Sequence, residues 1–128
     1  PDAFMPDLAM ALSNLVNLLI AVGRGADALA AGEMAVELHR ELARERPDSC
    51  AGEVARSLGL LGYCLAALGR TSEAVAAVEE ALRLVLPHVE RDPEAHGDLV
   101  EVLTRHYMKW AASIGHAVDQ SLLGRGGG

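Results

Sequence analysis

Three observations predict that this 128-residue chain is all-α and built of repeated antiparallel helix pairs. Ala (22) and Leu (20) far outnumber Val, Ile and Thr together (15), a balance that favours helix and excludes an all-β sandwich or barrel. The sequence repeats at an offset of 46: residues 1–46 match residues 47–92 at 15 positions without a gap, against about four expected from composition alone. Within each copy, apolar residues step by 4, 3, 4, 3, which draws one stripe along a helix and cannot stay on one face of a strand.

The first helix carries that stripe as Leu8, Leu12, Leu15, Leu19 and Val22, and copy two repeats it as Val54, Leu58, Leu61, Leu65 and Leu68. Pro6 suits a first-turn position, where no backbone N–H is needed. Gly23 and Gly69 end these helices, since glycine readily takes the positive φ of a helix stop. The second helix of each pair places small residues at its contact positions, Ala28, Ala31, Gly32 and Ala35, then Ala74, Ala77 and Ala81, so that two axes approach closely. Thr71 or Ser72 is expected to cap the fourth helix, and Pro87 to kink it or end it about one turn early. The faces holding Glu33, Glu37, Arg40, Glu41 and Arg44, and then Glu79, Glu80 and Arg83, are expected to be solvated.

A third copy keeps Pro93, Ala95 and Gly115 but loses most of the leucine pattern and stops at Leu123. It reads as a terminal or truncated unit. The expected organisation is one domain over 1–123, with repeats at 1–46, 47–92 and 93–123, then a flexible Gly-rich tail at 124–128. About five helices and a short C-terminal stub are therefore predicted. The chain opens on Pro1 rather than Met, as expected of a piece of something longer.

Charge narrows the function. With 18 acidic against 11 basic residues the formal charge is −7, which repels phosphate backbones and anionic membrane surfaces, so neither nucleic acid nor membrane is an expected partner. The longest apolar stretch, Leu8 to Val22, is interrupted by Ser13, Asn14 and Asn17 and falls short of the roughly 20 residues a membrane span needs. No basic n-region of a signal peptide precedes it. Cys50 and Cys64 form neither a disulfide framework nor a metal signature, and read as buried thiols in a reducing, cytoplasmic compartment.

Copy two resembles the tetratricopeptide repeat family. Leu58, Leu61-Gly62, Leu65, Gly69, Ala74, Val78 and Ala81 fill that family's pattern at its spacing, and Leu68 to Val75, LGRTSEAV, is similar to its turn. Copy one fits with Leu12, Leu15, Leu19, Gly23, Ala28, Gly32 and Ala35, but has Val16 where the family has its helix glycine. The 46-residue period exceeds the family's usual 34 and resembles the long repeats of kinesin light chain and of arrays in large actinobacterial proteins. The resemblance implies a right-handed α-solenoid whose first helices line a concave groove, and hence a protein-interaction module with no cofactor.

The implied groove positions are Met10, Ser13, Asn14 and Asn17, then Arg56, Gly59, Leu60 and Tyr63, then Arg105, His106 and Lys109. Asn14, Asn17 and Tyr63 suit a peptide backbone and a flat apolar group, Arg56 adds a cation, and Arg105 with Lys109 suits a carboxylate. Chaperone-binding members of the family grip a C-terminal Asp with a clamp of Lys and Asn. Only Asn17 matches that clamp, while Leu60 and Val102 occupy its other positions, so binding of such tails is not expected.

The five histidines, His39, His88, His96, His106 and His116, form no i, i+4 pair with one another or with Cys, and read as surface or capping residues rather than metal ligands. Cys64 with His106 would supply a nucleophile and a base, but Cys64 shares its register with Leu18 and Trp110, a packing position, so no catalytic residue is assigned. Tyr107 and Trp110 either cover the open end of the stack or contact another chain, which allows a homodimer through an end. A binding module and a regulatory segment of a larger signalling protein, ATPase or caspase-like protease, predict the same local fold.

Overall fold

A computed structural model describes residues 5–123, with side chains from residue 10 onward apart from residues 48 and 49. The five predicted helices are present: α1 (Met5–Ala21), α2 (Gly25–Glu45), α3 (Pro47–Ala67), α4 (Thr71–Val89) and α5 (Pro93–Ser113), followed by a 3-10 turn at Gln120–Leu122. Among the described residues there is no strand, and no helix is long and apolar enough to cross a membrane. The glycine-rich tail expected at 124–128 and the stripe residue Leu8 lie outside the described residues and side chains.

Each helix packs against the next, and α3 also touches α1 and α5. This is the contact order of a stack in which every unit meets only its neighbours. Its turns repeat with the sequence. Gly23, Gly69 and Gly115, spaced 46 apart, have φ of 79°, 80° and 68°. In each, the following residue's N–H reaches back to the helix: Arg24 to the Leu19 carbonyl at 2.8 Å, Arg70 to Leu65 at 2.8 Å and His116 to Ala111 at 2.9 Å. A second bond from the glycine N–H to the carbonyl three residues back closes a smaller loop inside it, so the Ile20, Ala66 and Ala112 carbonyls are satisfied as well.

Pro47 and Pro93 open α3 and α5, where their fixed φ is already helical. Asp92 caps α5 by accepting the Ala95 N–H at 3.2 Å. The expected cap at Thr71 or Ser72 is not formed. Thr71 is already the first helical residue, and the preceding Arg70 binds Glu73 through two nitrogens, as Arg24 binds Asp27 at the start of α2. An acid three residues into each helix thus sits on the positive end of the dipole, held there by the residue that precedes the helix. Pro87 neither ends nor shortens α4 by a full turn: the helix runs two residues beyond it to Val89.

Packing follows the repeat register. Leu61 of α3 lies on Gly32 of α2, where a Cβ would come within 3.5 Å of its side chain. At the next joint different positions are bare: Leu103 lies on Gly59 and Trp110 on Gly62, at 2.7 and 3.0 Å from the positions a Cβ would take. Bare backbone at these points lets large side chains seat flush, and burying each contributes on the order of 2–3 kcal/mol. Most of α3, α4 and α5 shares one apolar core with Val36 and Leu122, while Val16, Ala28, Ala31 and Cys64 close a smaller cluster under α1.

Of the leucine stripe, Val54, Leu58 and Leu65 are buried in α3 and Leu68 at its end is exposed, whereas in α1 none of Leu12, Leu15, Leu19 and Val22 is fully buried. There Val16, which stands where copy two has Gly62, is fully buried, while Leu15 is 42% exposed. The stripe of an internal helix meets a preceding pair; in α1 that side meets no other helix among the described residues. Tyr107 and Trp110 face inward onto α3 and α4 and cover the open end of the second pair. The chain after α5 then doubles back: the Tyr107 hydroxyl accepts the Asp119 N–H at 2.7 Å, and Leu122 enters the core against α4. Glu79, expected to be solvated, is partly covered by this return and bonds both Tyr107 and His116. Glu80 is tied across the stack to Arg40 at 2.6 Å.

Candidate functional site

Stacking three first helices side by side leaves a groove of about 1050 Å³ between α1, α3 and α5, closed at one edge by the end of α2. The rise of 3.6 residues per turn puts Met10, Ser13, Asn14 and Asn17 of α1 on its wall, and the same register puts Arg56, Gly59, Leu60 and Tyr63 of α3 beside them. From α5 come Asp98, Leu99, Val102, Leu103 and His106. The groove is mainly apolar along Leu60, Leu99, Val102 and Leu103, with Arg46 and Arg56 set among Glu45, Glu53 and Asp98.

Four of the six candidate binding residues, Asn14, Asn17, Arg56 and Tyr63, line this groove together. Among the described residues, the side chains of Asn14, Asn17 and Arg56 form no hydrogen bond or ion pair, so their donors and acceptors face solvent in the groove. Arg105 and Lys109 do not join them. They sit past the α5 edge of the lining, and the Arg105 guanidinium is already paired with Glu101 at 3.2 Å.

Sequence reasoning missed Leu42, Glu45, Arg46 and Cys50, because it assigned the groove to first helices alone, whereas the α2–α3 corner folds over its edge. It also missed Glu53 and Asp98, the acids that line the groove together with Arg56. The signal was available for Glu53, which precedes Arg56 by three residues and so shares its helix face.

An aromatic run floors one end. His106 stacks on Trp110 with ring centroids 4.7 Å apart, and Tyr63 lies tilted 6.2 Å beyond it. Burial on the Trp110 ring, with Lys109 and Arg105 nearby, holds His106 below its ordinary value and therefore uncharged at neutral pH. His39 also reaches the groove but is no surface histidine. It is buried, hydrogen-bonded through Nδ1 to the Ser57 hydroxyl, and pushed below its ordinary value chiefly by burial, against Glu53 and with Arg56.

Cys64 is 1% exposed beneath α1, among Val16, Ala28 and Ala31, and burial pushes its thiol up to about 11. A thiol so held is a poor nucleophile and packs as an apolar side chain. Cys50 is only half-buried, contrary to the expectation for both cysteines. Among the described residues no three His, Cys, Asp or Glu side chains converge as metal ligands would.

Residues 8–48 match the family model of the tetratricopeptide repeat. The match spans α2 and nearly all of α1, including their turn at Gly23. No curated protein and no solved structure matches the chain.

Proposed function

We propose that this chain, a member of the tetratricopeptide repeat family, is a non-enzymatic interaction module that holds a peptide or protein partner in the groove between α1, α3 and α5. The family is in general non-catalytic, and its members typically bind proteins or peptides. The observation that carries the reading is the set of uncommitted polar ends, Asn14, Asn17 and Arg56, spaced along an otherwise apolar concave wall beside Tyr63. Amides at that spacing suit the alternating N–H and C=O groups of a backbone, while Leu60, Val102 and the Tyr63 ring bury its side chains.

Charge refines the partner. Arg56 offers a site for a carboxylate, but Glu45, Glu53 and Asp98 line the same groove, so an apolar peptide carrying both signs suits it better than an acidic tail. The family's chaperone clamp is not reproduced, with Leu60 and Val102 at its positions. In a larger signalling protein the same groove would serve as the sensing segment, and recognition would rest on the same residues. Its setting is the reducing cytoplasm, in which no disulfide joins Cys50 or Cys64.

The test is affinity capture with the chain, a Tyr63→Ala/Arg56→Ala variant, and Glu37→Ala on the exposed face of α2. Partners lost with the groove variant and retained with Glu37→Ala support the reading; identical recovery by all three sinks it.

A further inference from the structure

The concave groove is polarised along its length. α3 and α5 run side by side in the same direction, since His96 of α5 lies on Gly52 of α3, Leu103 on Gly59 and Trp110 on Gly62. Their N-terminal halves therefore form one end of the groove and their C-terminal halves the other. At the first end stand carboxylates from three helices: Glu45, the last residue of α2, Glu53 of α3 and Asp98 of α5. Among the described residues none of the three forms a hydrogen bond or an ion pair. Arg46 and Arg56 offset part of this charge, but the first half of α5 carries Glu94, Asp98 and Glu101 and no cation. At the second end are rings, with Tyr63 44% exposed and His106 stacked on Trp110. Lys109 and the Glu101-paired Arg105 lie beside His106, so acids give way to cations from one end to the other.

The separation of the two ends matches an extended chain. Glu53 and Tyr63 are ten residues apart on α3, and Asp98 and His106 eight apart on α5, which is about 15 and 12 Å at a rise of about 1.5 Å per residue. Four residues of extended chain span about 13 Å, and side chains four positions apart leave it on the same side. The residue midway between them, also on that side, falls on Leu60, Leu99 and Val102. Asn14 and Asn17 line the α1 wall, where the backbone of such a chain can pair with their amides. A neighbouring repeat stacks on an end of an array, so it leaves this concave side open.

We propose that the ligand of the groove is an extended peptide with a basic residue at the Glu53 and Asp98 end, an aliphatic residue two positions along and an aromatic residue four positions along, against Tyr63 and His106. This rests on the groove being the partner site, as proposed above. A lysine or arginine at the first end meets Glu45, Glu53 and Asp98; turned round, it would lie beside Lys109 and Arg105. The aromatic residue gains face or edge contact with Tyr63 and His106, which already form one ring cluster with Trp110. Either chain direction satisfies this geometry, because the side chains and not the termini are read.

Fluorescence anisotropy of the full chain with short, terminally blocked peptides tests this. The probes carry arginine, leucine and phenylalanine at alternate positions with serine between them, in that order and in the reverse. One of the two orders should bind about tenfold more tightly than its counterparts with glutamate for arginine or serine for phenylalanine. Glu53→Lys/Asp98→Lys should invert the charge preference, so that the glutamate peptide binds better, with unchanged helical circular dichroism; a loss of folding cannot produce that inversion. Tyr63→Ala should weaken the preference for phenylalanine and keep that for arginine. Binding by neither order, equal binding of the arginine and glutamate peptides, or a preference untouched by Glu53→Lys/Asp98→Lys overturns the proposal. In that event, captured partners that still depend on Arg56 and Tyr63 leave the groove as the partner site and sink only the ligand chemistry; partners indifferent to both residues sink the two together.

Discussion

The Tyr107 hydroxyl donates to a Glu79 carboxylate oxygen at 2.7 Å while its own oxygen accepts the Asp119 N–H at 2.7 Å. One phenol thereby ties α5 to α4 and pins the returning chain over both. Tyr107→Phe keeps the buried ring and removes both bonds. It should destabilise the chain by about 1–3 kcal/mol, read by urea denaturation, and raise amide exchange around Asp119 while α1 and α2 are unaffected.

Acidification should weaken the fold through His39. Burial holds its folded value below the ordinary 6.5, so the unfolded chain takes up the proton first. Stability is therefore full above about pH 6.5 and falls as pH drops below it, until the folded state also protonates. His106, lowered by the same cause, adds in the same direction. His39→Gln should flatten the decline in melting temperature between about pH 7 and 5; an unchanged slope would exclude His39 as its source.

Two glycines of the same helical type should respond oppositely to alanine or larger residues. A Cβ on Gly62 meets Trp110 at 3.0 Å and the Ala74 carbonyl oxygen at 3.3 Å, so Gly62→Val should cost about 1–3 kcal/mol by overpacking. At Gly97, inside α5, nothing lies within 4 Å, and Gly97→Ala should stabilise by about 0.5–1 kcal/mol. Thermal denaturation of the two variants beside the parent checks both signs.

The Cys64 thiol should be silent in the native chain. Buried and held at about 11, it should react with a disulfide reagent at neutral pH only after denaturation. The native labelling rate should be the same in Cys64→Ser as in the parent, and a slower rate in that variant would show that Cys64 is reached.

The helices and their turns were legible because Pro, Gly and the leucine steps recur in one register, and local chemistry alone produces them. What the register could not say is which end of a stack a face belongs to. Periodicity put Leu15 and Leu61 on equivalent stripes, yet covering depends on a neighbour, so one is exposed and the other packs on Gly32. His39 was readable in principle: its counterpart 46 residues on is Val85, fully buried, and Ser57 stands at the matching place across the joint. Glu79 was not, because the return of residues 116–122 that covers it has no repeat signature. In the groove, register recovered Asn14, Asn17, Arg56 and Tyr63 but overextended to Arg105 and Lys109, which are not among its lining residues, the Arg105 guanidinium being paired with Glu101 along α5.

The His39–Ser57 bond also limits how the units can be arranged. At the corresponding place in the next joint the residues are Val85 and Leu103, both in the apolar core. A chain with its first two units exchanged would set His39 against Leu103 and Val85 against Ala11, and would leave Ser57 at the end of the stack without its histidine. The duplicated units are no longer interchangeable, and their order along the chain is enforced by the chemistry of the seams between them.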